Sequence, residues 1–235
     1  MTAPAPQTLY EAFAQALDRA PILPFLAESA LSGGRQWTFQ ETSVEVDHLA
    51  KLYGASGWGA GHRVALAVGN HPRHFFHHLA LNRLGASIVP LNPDHRGGEI
   101  RHALRLSKAD LVIALPDRHA AVAQAIEADD ALRHTPNVLL DPINLAQIAM
   151  TLPQAPRAAL TSGDPWQRET AVLFTSGTSG PPKGCILTNE YLLTAGAWYR
   201  DLGGALTLRR GQERLLNPLP VFHMNCGMTT IATCA

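Results

Sequence analysis

The stretch RVALAVGNHPRHFFHHLALNRLGASIVPL, residues 63–91, reads as strand, helix, strand. Arg63 to Val68 is apolar almost throughout, and Ser87 to Leu91 is a second run of the same kind. Between them, Pro72 opens a helix expected to reach Leu84, since proline at the first helical turn gives up an N–H that has no partner there anyway. The alternation continues downstream. A helix is expected over Gly98 to Leu106, a strand over Leu111 to Leu115, a helix over Arg118 to Ala128 and a strand over Val138 to Leu140. Strands that are apolar on both faces and separated by helices imply a parallel sheet covered on both sides, an α/β fold.

Upstream, apolar residues recur at three and four positions over Leu9 to Arg19 and Gln40 to Tyr53, which predicts two amphipathic helices. Pro24 to Glu28 and Arg35 to Phe39 read as short strands around a Ser-Gly-Gly turn. The glycines of GASGWGAG, Gly54 to Gly61, precede a strand instead of following one. That is the wrong side for a dinucleotide fingerprint, so they read as a helix-to-strand turn. TLPQAPRAALTSGD, residues 151–164, reads as a connecting loop. Beyond it come a strand at Ala171 to Phe174, a helix from Asn189 to Tyr199, a break at Gly203 and a strand near Leu215. The final MTTIATCA has the pattern of a helix with no terminating signal. Residues 1–235 are therefore expected to be one partial domain.

Apolar residues make up 46% of the chain and charged residues 16%, which suits a large core and argues against disorder. Nineteen basic residues balance nineteen acidic ones, so no net field draws the chain to nucleic acid or anionic lipid. The cysteines, Cys185, Cys226 and Cys234, form no CxxC pair, and the N-terminus lacks a basic segment followed by an apolar one. No apolar run approaches the length of a membrane span. A reduced, cytoplasmic setting is expected.

The chemistry concentrates in Thr175 to Gly184, TSGTSGPPKG, delivered directly by the strand AVLF. Gly177, Gly180 and Gly184 permit close backbone approach and positive φ, so consecutive amide N–H groups can converge on an anion. Thr175, Ser176, Thr178 and Ser179 add hydroxyl donors, and Lys183 adds a point charge. A Walker A loop needs G-x-x-x-x-G-K-[ST], which this stretch does not provide. His74 and His78 lie one helical turn apart, but no carboxylate or cysteine completes a metal set. A solvated helix face is expected there, and no metal ligand is assigned. Neither Cys185 nor Cys226 has a neighbouring base to make it a nucleophile.

The loop resembles the phosphate-loop signature [ST]-S-G-[ST]-[ST]-G-x-P-K-G of the acyl-CoA synthetase, adenylation-domain and luciferase superfamily. GWGAGHRVALAVGNHP from Gly57, LGASIVPLNP from Leu84 and PLPVFHMN from Pro218 resemble three further family segments. The form FHMNC is most similar to synthetases for small acyl or carnitine-like acids. The resemblance implies the incomplete N-terminal portion of the large adenylate-forming domain. It implies a ligase that activates a small carboxylic acid with ATP and passes it to coenzyme A. By the same resemblance Thr175, Ser176, Gly177, Thr178, Ser179, Gly180, Lys183 and Gly184 hold the triphosphate. The same resemblance implies that His223 is the catalytic residue, at the edge of the acyl pocket near the carboxylate and the α-phosphate. The carboxylate for Mg²⁺ is expected beyond residue 235, and the chain alone is expected to be inactive. An adenylation domain that loads a carrier protein and a non-catalytic remnant are the alternatives; homo-oligomerisation stays open.

Overall fold

The computed structural model describes residues 4–28, 34–139, 152–175, 182–216 and 219–224. Helix α1 (Leu9–Arg19) leads to a two-stranded antiparallel ribbon, β1 (Pro24–Ala27) and β2 (Gln36–Thr38), and then to α2 (Phe39–Ala55). A βα alternation follows: β3 (Arg63–Ala67), α3 (Pro72–Arg83), β4 (Ser87–Pro90), α4 (Gly97–Ser107), β5 (Leu111–Ala114), α5 (Pro116–Glu127), β6 (Asn137–Leu139). After the loop come β7 (Glu169–Thr175), β8 (Lys183–Thr188) and α6 (Asn189–Arg200).

Strands β3 to β8 form one sheet in the order β6-β5-β3-β4-β7-β8, parallel except for the antiparallel pair β7–β8. Side chains alternate across each strand. Val64, Leu66, Ile88, Leu111, Ile113, Ala171 and Leu173 point to one face, where they meet α1, α2 and α3. Ala65, Ala67, Val89, Val112, Ala114 and Val172 point to the other, where they meet α4 and α5. Strands β3, β4 and β5 are buried on both faces, which is why they carry no polar alternation.

Local signals set the helix starts. Thr38 and Glu41 form a reciprocal capping box at α2, with Glu41 N–H donating to Thr38 Oγ1 at 3.1 Å and Thr38 N–H to Glu41 Oε2 at 2.8 Å. Thr8 and Thr188 cap α1 and α6 in the simpler way. At the end of α4, Lys108 takes the left-handed conformation, with φ 51°.

The expected elements are found within a few residues of their predicted limits, with two corrections and one omission. No strand forms at Leu215: residues 213–216 are irregular and Leu216 is 93% exposed. The two leucines there lack the run of alternating or apolar neighbours that a strand needs. The second correction concerns α3. His74, His77 and His78 are buried, not solvated, because α1, α2 and the sheet enclose that helix on almost every side. His77 Nδ1 lies 2.8 Å from the Tyr53 hydroxyl, and His78 Nε2 lies 3.1 Å from Thr170 Oγ1. The omission is β8, which the sequence reading passed over. The segment MTTIATCA and the turn residues Ser32 and Gly33 lie outside the described residues.

A buried polar hub ties these parts together. Asn82 Nδ2 donates to Thr170 Oγ1 at 2.8 Å and to Asn189 Oδ1 at 2.7 Å, while Asn82 Oδ1 accepts from Tyr10 N–H at 2.9 Å. Asn189 Nδ2 in turn donates to the Pro165 carbonyl at 2.9 Å. One asparagine on α3 therefore fixes the start of α1, the base of β7 and the first residue of α6. The loop from residue 152 lies along the turn after α2: Trp58 Nε1–H donates to the Pro153 carbonyl at 2.9 Å, and His62 Nε2–H to the Arg157 carbonyl at 2.9 Å.

Candidate functional site

The order of the sheet defines where a ligand would meet it. From β4 the chain crosses over β3 to reach β5, and α3 and α4 pack on opposite faces. The strand order thus reverses between β3 and β5, and in open α/β sheets ligands occupy the crevice at the carboxyl ends of the strands at such a point. Strand β7 lies beside β4 and parallel to it, so Thr175 ends at that same edge.

Thr175 pairs with Lys183 across the antiparallel β7–β8 ladder, and Phe174 pairs with Gly184. The glycine-rich segment is therefore the connection of a β-hairpin, with its two ends held by sheet hydrogen bonding. Ser176, Gly177, Thr178, Ser179 and Gly180 lie outside the described residues. Lys183 is exposed and has no ion pair among the described residues. At Gly184 the requirement is close packing and not positive φ: a Cβ there would sit 3.2 Å from Val172 Cγ1. The exposed Cys185 follows it on β8, an edge strand.

Two residues that the sequence did not single out hold this edge together. His102 of α4 donates from Nε2 to the Pro182 carbonyl at 2.7 Å, and its ring meets Phe174 edge-on with centroids 6.4 Å apart. This tethers the end of the loop just ahead of Lys183. Asn70, in the connection after β3, accepts from Val221 N–H at 2.8 Å and donates to the Leu219 carbonyl at 3.3 Å. It clamps the turn that carries His223 onto the carboxyl end of β3. Asn70 had a readable signal, an Asx residue after a strand and before a proline-led helix. His102 had none, because its partner is distant in sequence.

His223 itself is exposed. Its backbone N–H bonds the Pro220 carbonyl at 3.0 Å, and its ring packs on Phe222 at 4.7 Å between centroids. The ring has no hydrogen-bond partner among the described residues. Met224 contacts the Tyr191 hydroxyl on α6, and the two border an apolar groove of about 590 Å³ with Thr194, Ala195 and Trp198. The structure thus places Thr175, Lys183, Gly184 and the His223 turn at one edge of the sheet. No group of three His, Cys, Asp or Glu side chains is placed to hold a metal among the described residues.

A helix among the described residues long and apolar enough to cross a membrane is absent. The family described as AMP-binding enzyme matches residues 13–235. A crotonobetaine/carnitine–CoA ligase from Citrobacter koseri is 30% identical over 208 residues, which are 86% of this chain and 39% of that protein. A medium/long-chain-fatty-acid–CoA ligase from Mycobacterium tuberculosis is 29% identical over 194 residues, 82% of this chain and 31% of that one. Among solved structures, the inhibitor-bound N-terminal domain of FACL13 from Mycobacterium tuberculosis superposes with a TM-score of 0.77 at 25% identity, covering 97% of this chain and 55% of that one. The chain thus spans well under half of the length of these curated relatives.

Proposed function

Because the chain belongs to the AMP-binding enzyme family, we propose that it supplies the triphosphate-holding part of an ATP-dependent acid–CoA ligase. One observation carries this reading. The β7–β8 hairpin sets Thr175 against Lys183 at the two ends of a loop rich in hydroxyls and glycines, at the carboxyl edge of the parallel strands. Such a loop has donors and positive charge but no carboxylate, which fits a polyphosphate and little else.

The substrate acid carboxylate attacks the α-phosphorus of ATP, forming an acyl–phosphate bond as the bond to pyrophosphate breaks. The thiol of coenzyme A then attacks the acyl carbon, AMP leaves, and the thiol proton passes to solvent. Thr175 to Gly180, Lys183 and Gly184 hold the triphosphate and stabilise the charge that gathers on the departing pyrophosphate. His223 stands at the acyl side of the site, near the reacting carboxylate. Mg²⁺, which accompanies ATP in such chemistry, is assigned no ligand on this chain. The FHMNC segment and the likeness to a crotonobetaine/carnitine–CoA ligase favour a small acyl or carnitine-like acid as substrate.

Titration of the chain with ATP, followed through the backbone amide signals of Thr175, Lys183 and Gly184, tests the reading. Saturable shifts are expected with ATP, and weaker ones with AMP. If ATP leaves those signals unmoved, the hairpin is a surface turn and the proposal fails.

A further inference from the structure

The opposite edge of the sheet holds a second polar cavity, of about 360 Å³, at the amino ends of β3, β4 and β7. It is separated from the hairpin loop by the length of β7, roughly 20 Å at about 3.3 Å per residue. Six charged side chains line it, and four of them neutralise each other. Arg63 grips Glu169 with two parallel bonds, of 2.7 and 2.6 Å. Arg157 Nη1 donates to Asp110 Oδ1 at 2.6 Å.

Two cations are left over. Lys108, on the left-handed residue that ends α4, makes no ion pair or side-chain hydrogen bond among the described residues. Arg168 donates only to the Gly163 carbonyl, at 3.2 Å, and meets no carboxylate among the described residues. Its guanidinium lies over Gly85, where a Cβ would come within 3.0 Å of Nη1. Gly85, at φ 78°, keeps that space open. Ser87 also lines the cavity. It is 3% exposed, and its Oγ is buried without a hydrogen-bond partner. A buried hydroxyl left unsatisfied is costly unless something binds it. Two uncompensated cations beside an unused donor make an anion the fitting occupant.

We propose that this cavity is a binding site for a small phosphate-bearing anion, held by Lys108, Arg168 and the Ser87 hydroxyl. The site is independent of the hairpin loop. Its occupant would bridge the ends of β4, α4 and the loop before β7, and so would tighten the packing of α4 on the sheet.

Inorganic phosphate, titrated at constant ionic strength, is the probe, and the amide signals of Gly85, Ser87 and Lys108 are the readout. The three signals are expected to shift together with one dissociation constant. Arg168→Gln and Lys108→Asn, the latter chosen because asparagine tolerates the left-handed conformation, should each weaken that constant about ten-fold or more. Ser87→Ala, which changes no charge, should weaken it less but measurably. Lys183→Ala should leave it unchanged, which separates this site from the hairpin loop. The proposal is overturned if the three signals do not saturate, or if they respond equally in the Lys108→Asn/Arg168→Gln double variant. It is also overturned if they vanish with Lys183→Ala alone.

Discussion

Nε2 of His102 lies 2.7 Å from the carbonyl oxygen of Pro182, so helix α4 is tied to the residue just ahead of Lys183. The carbonyl can only accept, so the imidazole proton sits on Nε2. His102→Phe keeps a ring against Phe174 and removes the tether. A neutral hydrogen bond is worth about 0.5–1.5 kcal/mol net, so ATP should bind roughly 2- to 10-fold more weakly. The melting temperature should barely move. An equal ATP affinity in the variant would show that the loop end is positioned without α4.

Asn82 is the test of the buried hub. Asn82→Leu is close in volume but leaves Tyr10 N–H without its acceptor and Asn189 Oδ1 without one of its donors. Each buried group left unpaired costs about 1–3 kcal/mol, so unfolding by urea should show a loss of several kcal/mol. The loss should exceed that from Gln124→Ala, a change at an exposed position of α5. A variant as stable as the parent would mean that the hydrogen bonds of the hub add nothing net to stability.

The βα alternation was legible because each strand from β3 to β5 is a short apolar run bounded by turn residues, and burial on both faces demands that pattern. Helix α3 was placed correctly, but its environment was misread. HPRHFFHH looks polar, and only the packing of α1 and α2 shows that Tyr53 and Thr170 supply partners for two of its rings. Strand β8 was missed because Lys183, Gly184 and Cys185 carry no strand pattern of their own; pairing with β7 makes them extended. At the site, TSGTSGPPKG stood out in the sequence as a candidate phosphate loop by its glycines, hydroxyls and lysine. The tethers at His102 and Asn70 were not, since each joins residues about 80 or 150 positions apart.

The buried histidines predict an acid limit to stability. Burial lowers the pKa of His74 to about 4, of His77 to about 3 and of His78 to about 3. In the unfolded chain all three return to about 6.5. Below that value the unfolded state binds protons that the folded state refuses, so stability falls as pH drops from 6.5 towards 4 and is retained in full above it. Each histidine contributes a slope of up to about 1.4 kcal/mol per pH unit. His74→Phe, which replaces a ring whose Nε2 has no partner, should reduce the slope between pH 6 and 5 by one proton's worth. Urea unfolding at several pH values measures it. An unchanged slope would mean that His74 does not stay neutral in the fold.

Lys183 decides between a phosphate-holding loop and an ordinary turn. Its ammonium is exposed at the start of β8, opposite Thr175, with no carboxylate partner among the described residues. If it faces the β- and γ-phosphates, Lys183→Ala should weaken ATP by roughly 10- to 150-fold, the equivalent of about 1.5–3 kcal/mol for a lost charged hydrogen bond. AMP, which lacks those phosphates, should lose far less. Lys183→Arg should recover only part of the ATP affinity, because a planar guanidinium beside Pro182 cannot take the place of a compact ammonium. Titrations with the two nucleotides at matched ionic strength separate the cases. Equal losses for ATP and AMP would make Lys183 a support for the shape of the loop. No loss for either would make the hairpin connection a surface turn.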